Sequence, residues 1–376
     1  MKTSNYLWAM LATATLSLTA CGSDENESVN QPKEKTARLE LTLVGTPADS
    51  RATGTLPTDD ESQINRLTVA VFTGAEGNPV NALHEFTGDD IKDAAGGVTG
   101  KKITMLCEPG TGQTIYVVAN AASKLFAGVT NLAGFQAKLA LLSETTKSAG
   151  TGDVTDAQKA NNLPMLGIST GKDFTAGGEL KAEIALSRLV ARVSISSIKT
   201  AFDAAGQFKD ATFKVDAVYL KNANSSVNMK KEGSVPINGG HEGAVVTQYL
   251  YETVASHTAN TELKTPYYFY TFPNVSEDNP TRLIIKGTFD ADGKGATKVT
   301  RYYPIVINKK QANTTITAGQ GTDKGSIAFN TKYVLTAVIK GEGAPDDDTD
   351  IDPATLQLTV TVADWALTIN QDVTFE

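Results

Sequence analysis

From residue 64 to residue 343 one pattern recurs: apolar and polar side chains change places at every second position, in runs that stop at Gly, Asn, Asp or Pro. Successive side chains of an extended strand point to opposite faces, so runs of this kind suit half-buried strands and do not suit helices. They are "INRLTVAVFTG" (64–74), "GQTIYVVANA" (112–121), "KAEIALSRLVARVSISSIK" (181–199), "TFKVDAVYLKNA" (212–223), "TPYYFYTFPN" (265–274), "TRLIIKGTFDADG" (281–293), "TRYYPIVIN" (300–308) and "TKYVLTAVIKGEG" (331–343). All are rich in β-branched and aromatic residues. The chain is therefore expected to be all-β, and several short strands in each half predict two β-sandwich domains. One helix is expected over 131–146, where Leu132, Phe135, Leu139 and Leu142 keep a period near 3.6 and would cover one side of the first sheet. A domain boundary is expected near residue 185, after the Gly-rich "STGKDFTAGGELKAE".

Two further alternating runs lie toward the ends. "RLELTLVG" (38–45) puts Leu39, Leu41 and Leu43 on one face, and "TLQLTVTV" (355–362) does the same with Leu356, Leu358, Val360 and Val362. Two strands sharing a Leu-polar-Leu-Thr core could compete for one slot. A break at Ala363-Asp364-Trp365 follows the second run, and beyond it come Leu367, Ile369, Val373 and Phe375. These apolar side chains need a burial site, either in their own domain or in another subunit. Ahead of the run, "GEGAPDDDTDIDP" (341–353) reads as an extended, solvated linker. "ADSRATG" (48–54) places Arg51 before the small Ala52 in a polar stretch.

The first residues read as a targeting segment. Lys2 precedes a short apolar run from Leu7 to Leu18, with small residues before Cys21. The run is too short, and too interrupted by Thr and Ser, for a comfortable membrane span. Leu18-Thr19-Ala20-Cys21 resembles the lipobox of bacterial lipoproteins. That resemblance implies loss of residues 1–20 and an acyl anchor on Cys21. The polar "GSDENESVNQPKEKT" that follows reads as a tether.

Several function classes are excluded. A net charge of −8 gives no basic footprint for nucleic acid. Cys21, Cys107, His84, His241 and His257 are scattered and form no metal-ligand spacing, so no metal or cofactor is expected. Asp346, Asp348 and Asp350 fail as a calcium loop, because Ile351 stands where that loop needs Gly and Gln357 where it needs Glu. Asp59-Asp60-Glu61 and Asp89-Asp90 are adjacent carboxylates with no acid–base geometry, and no G-x-S-x-G, P-loop or H-E-x-x-H signature is present. The chain is not expected to be an enzyme. Cys107, in "ITMLCEPG", reads as a buried small hydrophobe. Tyr267, Tyr268, Phe269, Tyr270 and Phe272 offer a second reading as a glycan-stacking platform of a surface lipoprotein. Alternation favours sandwich core for Tyr268, Tyr270 and Phe272.

"ADSRATG", "DDESQINRLTVAVFTG", "GQTIYVVANA", "LSRLVARVSISSIK", "NTKYVLTAVIKGEG" and "VTVADWALTINQDVTF" occur in this order over nearly the whole chain. Together with the lipobox, they resemble the major fimbrillins (FimA type) of Bacteroidia type V pili. The resemblance implies transthyretin-like or Greek-key sandwiches with a few short helices, and export as a palmitate-bearing outer-membrane lipoprotein. It also implies cleavage between Arg51 and Ala52 by a trypsin-like, Arg-specific protease. The implied layout is a signal peptide (1–20), a propeptide (21–51), two domains (52–184 and 185–343) and an acidic linker with a donor-strand tail (344–376). On cleavage the strand carrying Leu39, Leu41 and Leu43 would be displaced. A neighbour's tail would then supply Leu356, Leu358, Val360, Val362, Trp365, Leu367, Ile369, Val373 and Phe375 by strand addition. Partners would be identical or related fimbrial subunits, including tip and anchor subunits, in a surface fimbrium serving adhesion and biofilm formation. An anchor would keep its lipid and a tip would lack a donor, so a cut site together with a tail favours a stalk subunit over those alternatives.

Overall fold

The computed structural model describes residues 36–45, 60–93, 101–146, 158–232, 236–237, 248–312, 314–317 and 321–365. Cys21, Arg51, Ala52, Leu367, Ile369, Val373 and Phe375 lie outside them. The first half holds β1 (Ala37–Gly45), β2 (Arg66–Phe72), β3 (Val80–Thr87), β4 (Lys92–Asp93), β5 (Lys101–Cys107), β6 (Gly110–Ala119), β7 (Leu139–Leu141), β8 (Met165–Phe174) and β9 (Glu179–Arg188). The second holds β10 (Ala191–Thr200), β11 (Thr212–Lys221), β12 (Ala223–Asn224), β13 (Ser226–Asn228), β14 (Pro236–Ile237) and β15 (Tyr251–Thr253). It continues with β16 (Tyr267–Thr271), β17 (Arg282–Asp290), β18 (Lys298–Val306), β19 (Thr314–Thr317), β20 (Thr331–Ile339) and β21 (Leu356–Asp364). The fold is all-β.

In the first half one sheet runs β3-β2-β6-β8-β9-β1-β5-β4. It wraps an apolar cluster that includes Leu39, Leu41 and Leu43 of β1, Leu67, Val69 and Val71 of β2, and Ile115 and Val117 of β6. The alternate residues of β2, Ala70 and Phe72, belong to a second cluster that continues without a break into the other half. Both faces of β2 are thus buried, which explains its near-continuous apolar sequence. In the second half a sheet ordered β16-β10-β20-β21-β19 packs against one ordered β15-β11-β17-β18.

Three expectations need correction. The run 181–199 is not one strand: β9 ends at Arg188, Leu189 and Val190 are fully buried, and β10 opens at Ala191 in a different sheet. The helix expected over 131–146 shrinks to α1 (Leu132–Gln136), capped by the Asn131 side chain accepting from the Gly134 N–H at 2.8 Å. Beyond it, β7 pairs antiparallel with β13, and this tertiary pairing overrides the helical period. Phe135 still covers the first sheet, packing edge-on against Phe72 and Tyr116. Finally, 341–353 is not a free linker. Ala344 and Tyr302 exchange backbone hydrogen bonds, and Asp347 is buried against Lys221, with Nζ to Oδ1 at 2.8 Å. The Tyr219 hydroxyl donates to the other Asp347 oxygen at 2.8 Å.

Candidate functional site

The alternation of 37–45 decides where β1 goes. Leu39, Leu41 and Leu43 are fully buried, and the intervening Glu40 and Thr42 turn to the half-buried face. The strand is not at an edge. It runs antiparallel to β5 (Ala37 opposite Cys107, Leu41 opposite Ile103) and parallel to β9 (Arg38 opposite Glu179, Leu41 opposite Ala182). Burying three leucines contributes about 1.5–3 kcal/mol each. Removing β1 would therefore open a slot with two unpaired backbone edges and an apolar floor. The ion pairs at its surface, Arg38 with Glu179 at 3.6 Å and the exposed Lys181 with the half-buried Glu40 at 3.7 Å, are long and open to water and add little. Cys107 sits at one end of the slot, and burial pushes its thiol up to about 12.

The tail strand β21 occupies the second half in a comparable setting, antiparallel to β20 (Leu335 opposite Val360) and parallel to the short β19 (Ile316 opposite Val360). Leu356, Leu358 and Val360 are buried in their own domain's core, as is Trp365. The side chain of Val362 is not among the described ones. Of the residues singled out as a donor, then, four are core residues of the chain that carries them.

Trp365 ends in a buried polar node. Glu61, 1% exposed, accepts from the Arg192 guanidinium at 2.7 Å, the Tyr270 hydroxyl at 2.8 Å and the Trp365 indole N–H at 3.1 Å. Arg188 donates to the Glu61 carbonyl at 3.0 Å, to Ser62 Oγ at 3.1 Å and to the Trp365 carbonyl at 3.1 Å. Its guanidinium lies over the indole, 4.3 Å from the centroid, while Tyr270 stacks on the same ring at 5.7 Å. Burial lowers the Arg188 pKa to about 10, against the pull of Glu61, so the group stays charged at neutral pH. Among the described side chains, the buried Arg188 and Arg192 gather around the one carboxylate of Glu61, and the electron-rich indole face and the Trp365 carbonyl add to their stabilisation.

Sequence reasoning picked out Trp365, set Glu61 aside as one of three adjacent carboxylates, and missed Arg188, Arg192 and Lys221. The available signal was two arginines inside the otherwise apolar run "LSRLVARV", since charged residues are buried only when paired. The aromatic run 267–272 is mostly core: Phe269, Tyr270 and Phe272 are buried, and Tyr267 and Tyr268 are half-buried.

Residues 37–188 match the family model "Major fimbrial subunit protein (FimA)" and residues 189–373 match "Fimbrium tip subunit Fim1C-like, C-terminal domain". The two models meet where β9 gives way to β10. Among curated proteins, the major fimbrium subunit FimA type-3 of Porphyromonas gingivalis is 25% identical, over 95% of this chain and 96% of its own length. A FimA type-2 from the same organism is also 25% identical, over 97% and 98%. The crystal structure of a fimbrilin (fimA) from P. gingivalis W83 superposes with a TM-score of 0.61 at 19% identity, covering 89% of this chain and 99% of that one.

Proposed function

We propose that this chain, whose two halves match family models of fimbrial subunits and which is 25% identical to a FimA major fimbrium subunit, is a structural stalk subunit that polymerises by exchanging β1 for a neighbour's tail. The precursor is exported as a lipoprotein acylated on Cys21. An Arg-specific protease cuts between Arg51 and Ala52, and β1 leaves. The product is a cell-surface fimbrium that supports adhesion and biofilm formation. The observation that carries this reading is the position of β1, an interior strand with both edges paired and its leucines fully buried. It is joined to the next strand through 46–65, the stretch that contains Arg51.

The burial of β21 narrows the donor. Were β21 itself donated, filling the slot of one subunit would empty the core of the next, and the apolar areas gained and lost would nearly cancel. Residues beyond Trp365 carry Leu367, Ile369, Val373 and Phe375 at odd positions. Donating them leaves Leu356, Leu358, Val360 and Trp365 where they are. We therefore assign the donor to 366–376 and keep β21 as part of the second domain.

Deleting 366–376 is the test. The subunit should melt within a few degrees of wild type and still be cut at Arg51, but build no fibres. Normal fibres from this variant would refute strand donation. A tip role is the second reading, favoured by the family model matching 189–373. Immunogold labelling along the shaft supports the stalk, and labelling confined to one end supports the tip.

A further inference from the structure

Four distant stretches meet at the buried node, one of them β16 through Tyr270. Glu61 and Ser62 belong to the connector that leads from β1 to β2, Arg188 and Arg192 flank the crossing from the first sheet to the second half, and Trp365 closes β21. The chemistry is close to all-or-none. Without Glu61, Arg192 loses its carboxylate partner and Tyr270 and the indole lose their acceptor, and without Trp365 both guanidinium groups lose the indole face and Arg188 a carbonyl acceptor. Neither domain can complete the node alone.

We propose that Glu61, Arg188, Arg192 and Tyr270 form a clamp on Trp365 that keeps β21 seated in its own domain and fixes the root from which residues 366–376 depart. The first part stands on the node itself, and the second rests on the strand-exchange reading above. Glu61 lies after Arg51, so it remains with the subunit once residues 1–51 are removed, and the clamp survives processing. The connector of the first domain thereby positions the tail of the second. Glu61, Arg188 and Arg192 are positioning residues for donation, acting through Trp365.

The chain contains its own reporter. Its two tryptophans are Trp8 and Trp365, so in the full chain carrying Trp8→Phe the fluorescence comes from Trp365 alone. Opening the clamp hydrates the indole. Glu61→Ala should red-shift the emission and raise the acrylamide quenching constant about threefold, as local opening exposes a side chain buried in the native state. Glu61→Gln removes the charge but keeps one acceptor oxygen, enough for either the indole or the side shared by Tyr270 and Arg192, and should give a smaller rise; if Glu61→Ala does not fold, this variant decides. A disulfide between Thr336→Cys and Thr359→Cys, opposite each other on β20 and β21, should restore protection in the Glu61 variants. Emission and quenching unchanged from wild type in the Glu61 variants would overturn the clamp.

For the root, the same disulfide in an otherwise wild-type subunit should leave fibre growth unchanged, oxidised or reduced. Fibre growth that is lost on oxidation and returns on reduction would show that β21 must leave, overturning the assignment. A wild-type subunit that is cut after Arg51 and never polymerises would defeat the exchange reading instead. The fluorescence result would still decide the clamp.

Discussion

Cys107 reports directly on whether the β1 slot is occupied. It lies opposite Ala37, shares a cluster with Leu39, Leu41 and Leu43, and is 3% exposed with its thiol pushed up to about 12. While β1 is tethered it rebinds intramolecularly at an effective concentration of millimolar order; once cut, at about 1 µM subunit, it must rebind from solution. That change is about a thousandfold in occupancy, or about 4 kcal/mol. With the slot open, the thiol returns toward its ordinary 9.0. Near pH 8, that raises the thiolate fraction by about three powers of ten. The assay uses the Cys21→Ala chain, in which Cys107 is the only thiol, labelled with a thiol-reactive dye before and after cleavage at Arg51. Mass spectrometry follows loss of the β1 fragment. Labelling should be negligible before the cut, fast after the fragment dissociates, and slow again on adding a peptide of residues 366–376. Equal labelling before and after dissociation would refute the placement of Cys107 beneath β1.

Asp347→Ala strips the main counter-ion from Lys221, a side chain only 3% exposed, and should cost about 3 kcal/mol by chemical denaturation. The value lies at the low end because Asp348 stays within 2.5 Å of the same ammonium. Gly167→Ala should destabilise the first domain by about 1–3 kcal/mol, because a Cβ there would come within 2.7 Å of the Ala185 carbonyl and of Ile184 Cγ2 on the slot wall. Asp290 is held below its ordinary 3.8, first by the Thr297 hydroxyl and further by the Gly295 N–H. A depressed carboxyl contributes stability that is present above pH 3.8 and lost as pH falls through the lower folded value. Protection of the Gly295 amide, relative to its intrinsic exchange rate at each pH, should therefore fall in acid in the wild type, and Asp290→Asn should remove that acid step.

The β class was legible because alternation reports burial directly, and β1, β11, β17 and β20 fall within or close to their apolar runs. What stayed hidden depends on partners distant in sequence. Leu139 continues a helical period from Leu132, yet it is 42% exposed in a strand because Asn228 pairs opposite it. The aspartates of 346–350 read as solvated until Lys221 supplies a buried counter-ion to Asp347. Leu356, Leu358 and Val360 carry the same pattern whether they fill their own core or a neighbour's. Only the register with β20 shows that their own core takes them. The polar node was the least legible, since Glu61 and Trp365 are 304 positions apart.

The interior position of β1 also has a mechanical meaning. A strand at a sheet edge can be unzipped one hydrogen bond at a time, but one held between β5 and β9 and pulled along its axis is loaded in shear. Both ladders, Ala37–Leu43 against β5 and Arg38–Gly45 against β9, must then give way together. A donor strand seated in the same slot would inherit that geometry, with tension entering at Trp365 and leaving through the neighbour's slot. Fibres joined this way should resist stretching along their length far better than their individual hydrogen bonds suggest, and should fail first when bent, where the same joint is peeled from one end.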